Sequence, residues 1–252
     1  MSIIAVLNQK GGVGKTTTVI NLAAYLGKQG KRVVVVDFDP QGNATSGLGL
    51  DKQALKKTVY HMIMNGESFL DIIKETNFEN ISIVPTNQQL AGAEVELASE
   101  AGRELRLKEA LRGIAADYVL IDCPPSLGLL TLNALAAADS VLIPVQSEYY
   151  ALEGLTQLVE TIQRVRATLQ PNLKIMGVLL TMADSRTSLA DQVADEVKKH
   201  FGDLVFKAII PRNVRLAEAP SHGKPISEHD RWSKGARAYK QLAKELVDRD
   251  KF

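Results

Sequence analysis

Apolar residues in this chain fall into short unbroken runs, separated by longer stretches in which they recur at helical spacing. Ile3-Ile4-Ala5-Val6-Leu7 is the first run, and residues 32–37, with four successive valines before Asp37, form the second. Further strands are read at residues 81–85, 118–122, 140–144, 174–181 and 206–211, with Ser82 and Lys207 interrupting the apolar residues in two of them. A run without polar alternation is the pattern of a strand covered on both faces. After residue 16, Val19, Leu22, Ala23 and Leu26 share one helical face, and Gly30 follows as a stop. Further helices are predicted over residues 105–114, 129–137, 152–169, 189–201 and 233–247, with Ser188-Leu189-Ala190-Asp191 as a capping box. Residues 48–80 are less regular and are expected to form helical turns. This alternation predicts an α/β fold: a mainly parallel sheet with helices on both faces.

Composition narrows the class. With 252 residues, 45% hydrophobic and 23% charged, the chain suits one α/β domain spanning residues 1–252. No apolar run approaches the roughly 20 residues that cross a bilayer. A single cysteine, Cys123, excludes an intramolecular disulfide and fits a reducing cytoplasm. His61, His200, His222 and His229 show no metal-ligand spacing. Net charge is only +1, split as 13 basic against 16 acidic residues in 1–150 and 17 against 13 in 151–252. That balance makes the whole molecule no magnet for nucleic acid.

The chemistry concentrates at the ends of the runs. Lys10-Gly11-Gly12-Val13-Gly14-Lys15-Thr16 lies between the first strand and the first helix, the setting of a phosphate-binding loop. Gly11, Gly12 and Gly14 let successive N–H groups turn inward at an anion. Lys15 supplies charge for terminal phosphates, and the Thr16 hydroxyl suits Mg²⁺. Lys10 is a second lysine, beyond what one nucleotide needs. Asp122 ends an apolar strand before Cys123-Pro124-Pro125-Ser126, as a Walker B aspartate would, and can hold Mg²⁺ through water. Asp37 and Asp39 close the second strand. Asp39 is the better candidate for orienting an attacking water, while Asp37 is also open to a structural role.

The loop Asn8-Gln9-Lys10-Gly11-Gly12-Val13-Gly14-Lys15-Thr16-Thr17, the segment Val36-Asp37-Phe38-Asp39-Pro40-Gln41-Gly42-Asn43-Ala44-Thr45 and Leu120-Ile121-Asp122-Cys123-Pro124-Pro125-Ser126 together resemble the ParA family of deviant Walker A P-loop ATPases. The likeness continues through residues 181–187, 210–216 and 218–225, and is greatest to the chromosomal, Soj-like members. It implies ATP as substrate and Mg²⁺ as cofactor, with nucleotide contacts from residues 10–17 and from Pro211 and Asn213. Thr16, Asp39 and Asp122 would surround the metal, the carboxylates through water. Lys10, Lys15 and Asp39 would be catalytic, Lys10 by reaching the phosphates of a partner subunit in an ATP-sandwich homodimer. Arg186 and Arg215 match positions used for non-specific double-stranded DNA binding. The resemblance further implies a ParB-like centromere-binding partner that stimulates hydrolysis, a cytoplasmic, nucleoid-associated location, and no N-terminal helix-turn-helix domain.

Two related functions fit less well. A MinD-like membrane ATPase needs an apolar stripe in its last helix, whereas residues 242–252 mix Asp248 and Asp250 with bases and scattered apolar residues. A relative of nitrogenase iron protein needs cysteines for a shared cluster, and Cys123 reads as a small core residue.

Overall fold

A computed structural model describes residues 1–147, 151–184 and 188–250. In chain order the elements are β1 (Ser2–Val6), α1 (Lys15–Gly27), β2 (Val33–Asp37), α2 (Asn43–Gly47), α3 (Val59–Asn65), α4 (Phe69–Ile72), β3 (Lys74–Glu75), β4 (Ile81–Val84) and α5 (Leu90–Glu96). Next come α6 (Arg106–Ala110), β5 (Tyr118–Asp122), α7 (Leu129–Ala137), β6 (Ser140–Gln146), α8 (Ala151–Thr168), β7 (Lys174–Thr181), α9 (Ser188–Phe201), α10 (Val214–Glu218), α11 (Ile226–His229) and α12 (Lys234–Arg249). The strands form one sheet in the order β3-β4-β2-β5-β1-β6-β7, parallel except for β3.

Strand alternation divides the core in two. Ile4 and Val6 of β1 face one layer with α1 and α12, whereas Ile3, Ala5 and Leu7 face the other with α7 and α8. Both faces are covered, which is why β1 after Ser2, and β2 and β5 before their final aspartates, are almost wholly apolar. The register sets Val6 beside Asp122 on one flank and Leu142 on the other, and Asp37 beside Asp122. Three strand ends, β1, β2 and β5, therefore converge at one edge, the usual ligand position in an open parallel sheet.

Two sequence expectations change. Residues 206–211 do not form a strand; they follow β7 through isolated bridges, Val178 to Val205 and Ala183 to Pro211. The N–H groups of Lys207 and Ala208 go instead to the Glu245 carboxylate at 2.9 and 3.1 Å, and Pro211 has no N–H to give. The helix expected over residues 105–114 is cut to α6, and the chain turns through Gly113 at φ +81°. Helix α5 and strand β3 went unforeseen. Side chains of residues 188–191, where the sequence places a capping box, lie outside the described set.

Helix α12 puts Ala236, Tyr239, Leu242, Ala243 and Leu246 into the core against α1, with the Tyr239 hydroxyl 3.2 Å from Thr18 Oγ1. Its apolar stripe is consumed internally. No helix of the described residues is long and apolar enough to cross a membrane.

Candidate phosphate-binding site

The loop between β1 and α1 is held from both sides. Asn8 donates to the Pro144 carbonyl at 2.7 Å and accepts from the Lys10 N–H at 3.0 Å, tying the exit of β1 to β6. Thr181, at the end of β7, donates to the Val13 carbonyl at 2.9 Å. Gly12 and Gly14 adopt φ of +75° and +88°, which favours glycine, and Gly14 leads directly into α1. Gly11 has no such φ, and a Cβ there would meet no atom within 4 Å. Among the described residues nothing thus requires glycine at 11.

Lys15 opens α1 almost fully buried and donates from Nζ to the Lys10 carbonyl at 3.2 Å. Burial lowers its pKa, opposed first by the nearby Asp122 carboxylate. Thr16 and Thr17 follow in the first turn, where unpaired N–H groups and the helix dipole favour an anion. Lys10 stands exposed on the loop.

Three carboxylates face this loop with different surroundings. Asp37 is fully buried and accepts from the Thr45 N–H at 2.7 Å and the Thr45 hydroxyl at 2.6 Å. Thr45 Oγ1 in turn accepts from the Thr86 N–H at 3.0 Å, so Asp37 anchors α2 to the end of β4. Burial pushes the Asp37 carboxyl up to about 7, against the Thr45 hydrogen bonds. That is the structural role left open for Asp37. Asp39 shapes the next turn: its Oδ1 accepts from the Gln41 N–H at 3.0 Å and its carbonyl from the Gly42 N–H at 2.9 Å. Lys52 braces that turn by donating to the Gln41 carbonyl at 2.6 Å.

Asp122 differs from both. It is fully buried, and among the described residues neither carboxylate oxygen has a hydrogen-bond partner. Burial, then Asp37, raises its pKa well above the carboxylate range; Thr16 leans toward it and opposes the rise without meeting hydrogen-bond geometry. A buried, unpartnered carboxylate beside a hydroxyl and a phosphate loop is a donor set suited to a hydrated divalent cation. Cys123 is also fully buried, with its thiol pushed up by burial, as a small core residue.

The other expected residues lie further out. Asn213 caps α10, its Oδ1 accepting from the N–H groups of Arg215 and Leu216 at 2.9 and 3.4 Å. Pro211 bridges to Ala183. Arg215 is exposed on α10 and paired with Glu218 at 2.9 Å and Asp230 at 3.7 Å. Arg186 lies outside the described residues. A cavity of about 740 Å³, lined by Arg32, Val33, Ile81 and Ser82 among others, opens at the opposite ends of β2 and β4 and shares no residue with the phosphate loop. Sequence reasoning placed Thr45 and Thr181 in family motifs without a supporting role and missed Lys52; a threonine at a strand's last position was the available signal for Thr181.

Residues 1–175 match a family described as an AAA domain. The sporulation initiation inhibitor protein Soj of Bacillus subtilis (strain 168) is 59% identical over 247 residues, covering 97% of this chain and 98% of that protein. The chromosome partitioning protein ParA of Myxococcus xanthus (strain DK1622) is 55% identical over 98% of this chain and 88% of its own length. Among solved structures, a cobyrinic acid a,c-diamide synthase from Mycobacterium smegmatis with bound ADP and magnesium superposes with a TM-score of 0.87 at 40% identity, covering 99% of this chain and 95% of that one. Its name denotes another activity, but the partitioning proteins are nearer in sequence. With a P-loop, a strand-end aspartate and full-length relatives of this kind, the chain belongs to the Soj/ParA family of chromosome-partitioning ATPases.

Proposed function

We infer that this chain is a Mg²⁺-dependent ATPase whose hydrolysis times the attachment of a DNA cargo. The observation that carries this reading is Asp122, a buried carboxylate without a partner, beside a phosphate loop bearing two lysines. The naming of its relatives as partitioning proteins, and the ADP and magnesium in the Mycobacterium smegmatis neighbour, support it.

In this reading the N–H groups of residues 11–17 cradle the phosphates, and Lys15 neutralises the β/γ oxygens. Thr16 would ligate Mg²⁺, with Asp122 and Asp39 holding it through water, and the metal would supply the charge that offsets the phosphoryl oxygens. Asp39, fixed by its own turn, orients the attacking water. Pro211 and the Asn213 amide border the adenine. Lys10 reaches the nucleotide of a second subunit, offsetting the repulsion of two triphosphates in a partly dry interface; the vacant space at Gly11 suits that approach. Arg215, with Arg186, contacts DNA phosphates without reading sequence. A ParB-like partner accelerates turnover, and the protein works in the cytoplasm on the nucleoid. DNA retention measured with ATP, with ADP and without nucleotide, across a salt series, tests the scheme. Retention only with ATP, weakening steeply with salt, is expected; equal retention in all three states would overturn it.

A further inference from the structure

Glu94, on a helix of no assigned role, touches the segment that follows Asp122. Its Oε1 accepts from the Leu130 N–H at 3.3 Å, in the first turn of α7. That turn needs an acceptor, because its N-cap is Gly128, which has no side chain to cap it. A carboxylate placed there also complements the helix dipole. Glu94 therefore caps α7 from another element.

The glycine explains how it reaches. Gly128 has φ −80° and ψ −167°, extended backbone that any residue adopts, so its conformation does not call for glycine. Space does. A Cβ at Gly128 would collide with Glu94 Oε1 and lie 3.1 Å from Glu94 Cδ. The collision is with the end of a flexible side chain, so a methyl at 128 would displace Glu94 rather than disrupt the fold. Helix α5 is itself fixed, by buried Leu90 and Ala93 and by the Tyr60 hydroxyl donating to Glu96 at 2.7 Å. On the same side, Thr131 in the first turn of α7 donates to the Ser126 carbonyl at 2.5 Å, tying the segment to the helix. Residues 123–128 are thus strung between Asp122 on β5 and an α7 N-terminus whose height is set by Glu94.

We propose that Glu94 is a positioning residue for ATP hydrolysis, holding the start of α7 so that the segment after Asp122 keeps its hydrolytic path, with Gly128 as the clearance that admits it. This rests on the ATPase reading above. Glu94→Ala and Gly128→Ala in the full chain should each lower kcat about fivefold with KM for ATP unchanged. The double variant should match the singles rather than multiply them, since the methyl at 128 acts only through Glu94. Glu94→Gln, which keeps an acceptor, should recover most of the rate. Amide hydrogen exchange at residues 129–132 reads the same coupling without turnover, and should quicken equally in both single variants and no further in the double. Parental kcat and exchange in Glu94→Ala, or multiplicative effects in the double variant, would overturn the proposal. A parent chain that released no phosphate, yet showed the exchange pattern, would count against the ATPase reading and leave the cap standing.

Discussion

Asp122 is the residue at which stability and function pull apart. A carboxylate whose folded pKa is raised destabilises the protein above its unfolded value near 4, and the penalty fades as pH falls toward that value. Asp122→Asn should therefore raise the nucleotide-free Tm by about 3 °C at pH 8, converge on the parent near pH 4, and abolish hydrolysis. A fall in Tm at pH 8 would mean that Lys15 already satisfies the carboxylate. Asp39 predicts the opposite separation. Asp39→Ala should still bind Mg-ATP and dimerise but accumulate ATP-bound dimers; normal phosphate release would remove it from the mechanism. Lys10→Ala should fold normally and stay monomeric with ATP by light scattering. At this scale the phosphate loop and Asp122 were legible because their chemistry lies in contiguous motifs. The anchoring role of Asp37 was not, since it depends on Thr45 and Thr86, brought together only by the ends of β2 and β4.

Among elements, runs packed on both faces announced themselves, and β5, α7 and β7 begin and end where the pattern places them. The segment 206–211 did not, because an apolar run specifies burial but not whether its N–H groups find a ladder; here Glu245 takes two of them. Helix α5 was invisible for another reason: its apolar face is short, with Leu90 and Ala93 buried and Val95 exposed. Close approach of elements gives a prediction that propensity alone would reverse. Glycine in a helix ordinarily gains about 1 kcal/mol when replaced by alanine. At Gly27, however, a Cβ would strike the backbone carbonyl of Glu79, which cannot swing aside. Gly27→Ala should lower stability by about 2 kcal/mol, read from the urea midpoint.

For the molecule as a whole, the family was readable from motifs spread along the chain, whereas the meeting of three strand ends needed the sheet order. Surface charge was the least legible property, because a count of arginines does not say which are already engaged. Arg215 is engaged, by Glu218 at 2.9 Å and by Asp230. If it is a DNA contact, phosphate must displace a carboxylate instead of merely meeting a solvated cation, so attachment is an exchange between rival anions. Arg215→Ala should lose DNA retention while keeping ATP turnover. Glu218→Gln should do the reverse, strengthening retention severalfold at fixed salt by removing the rival. The acidic neighbours of the arginine would then be what keeps each subunit's hold on DNA weak enough to let go.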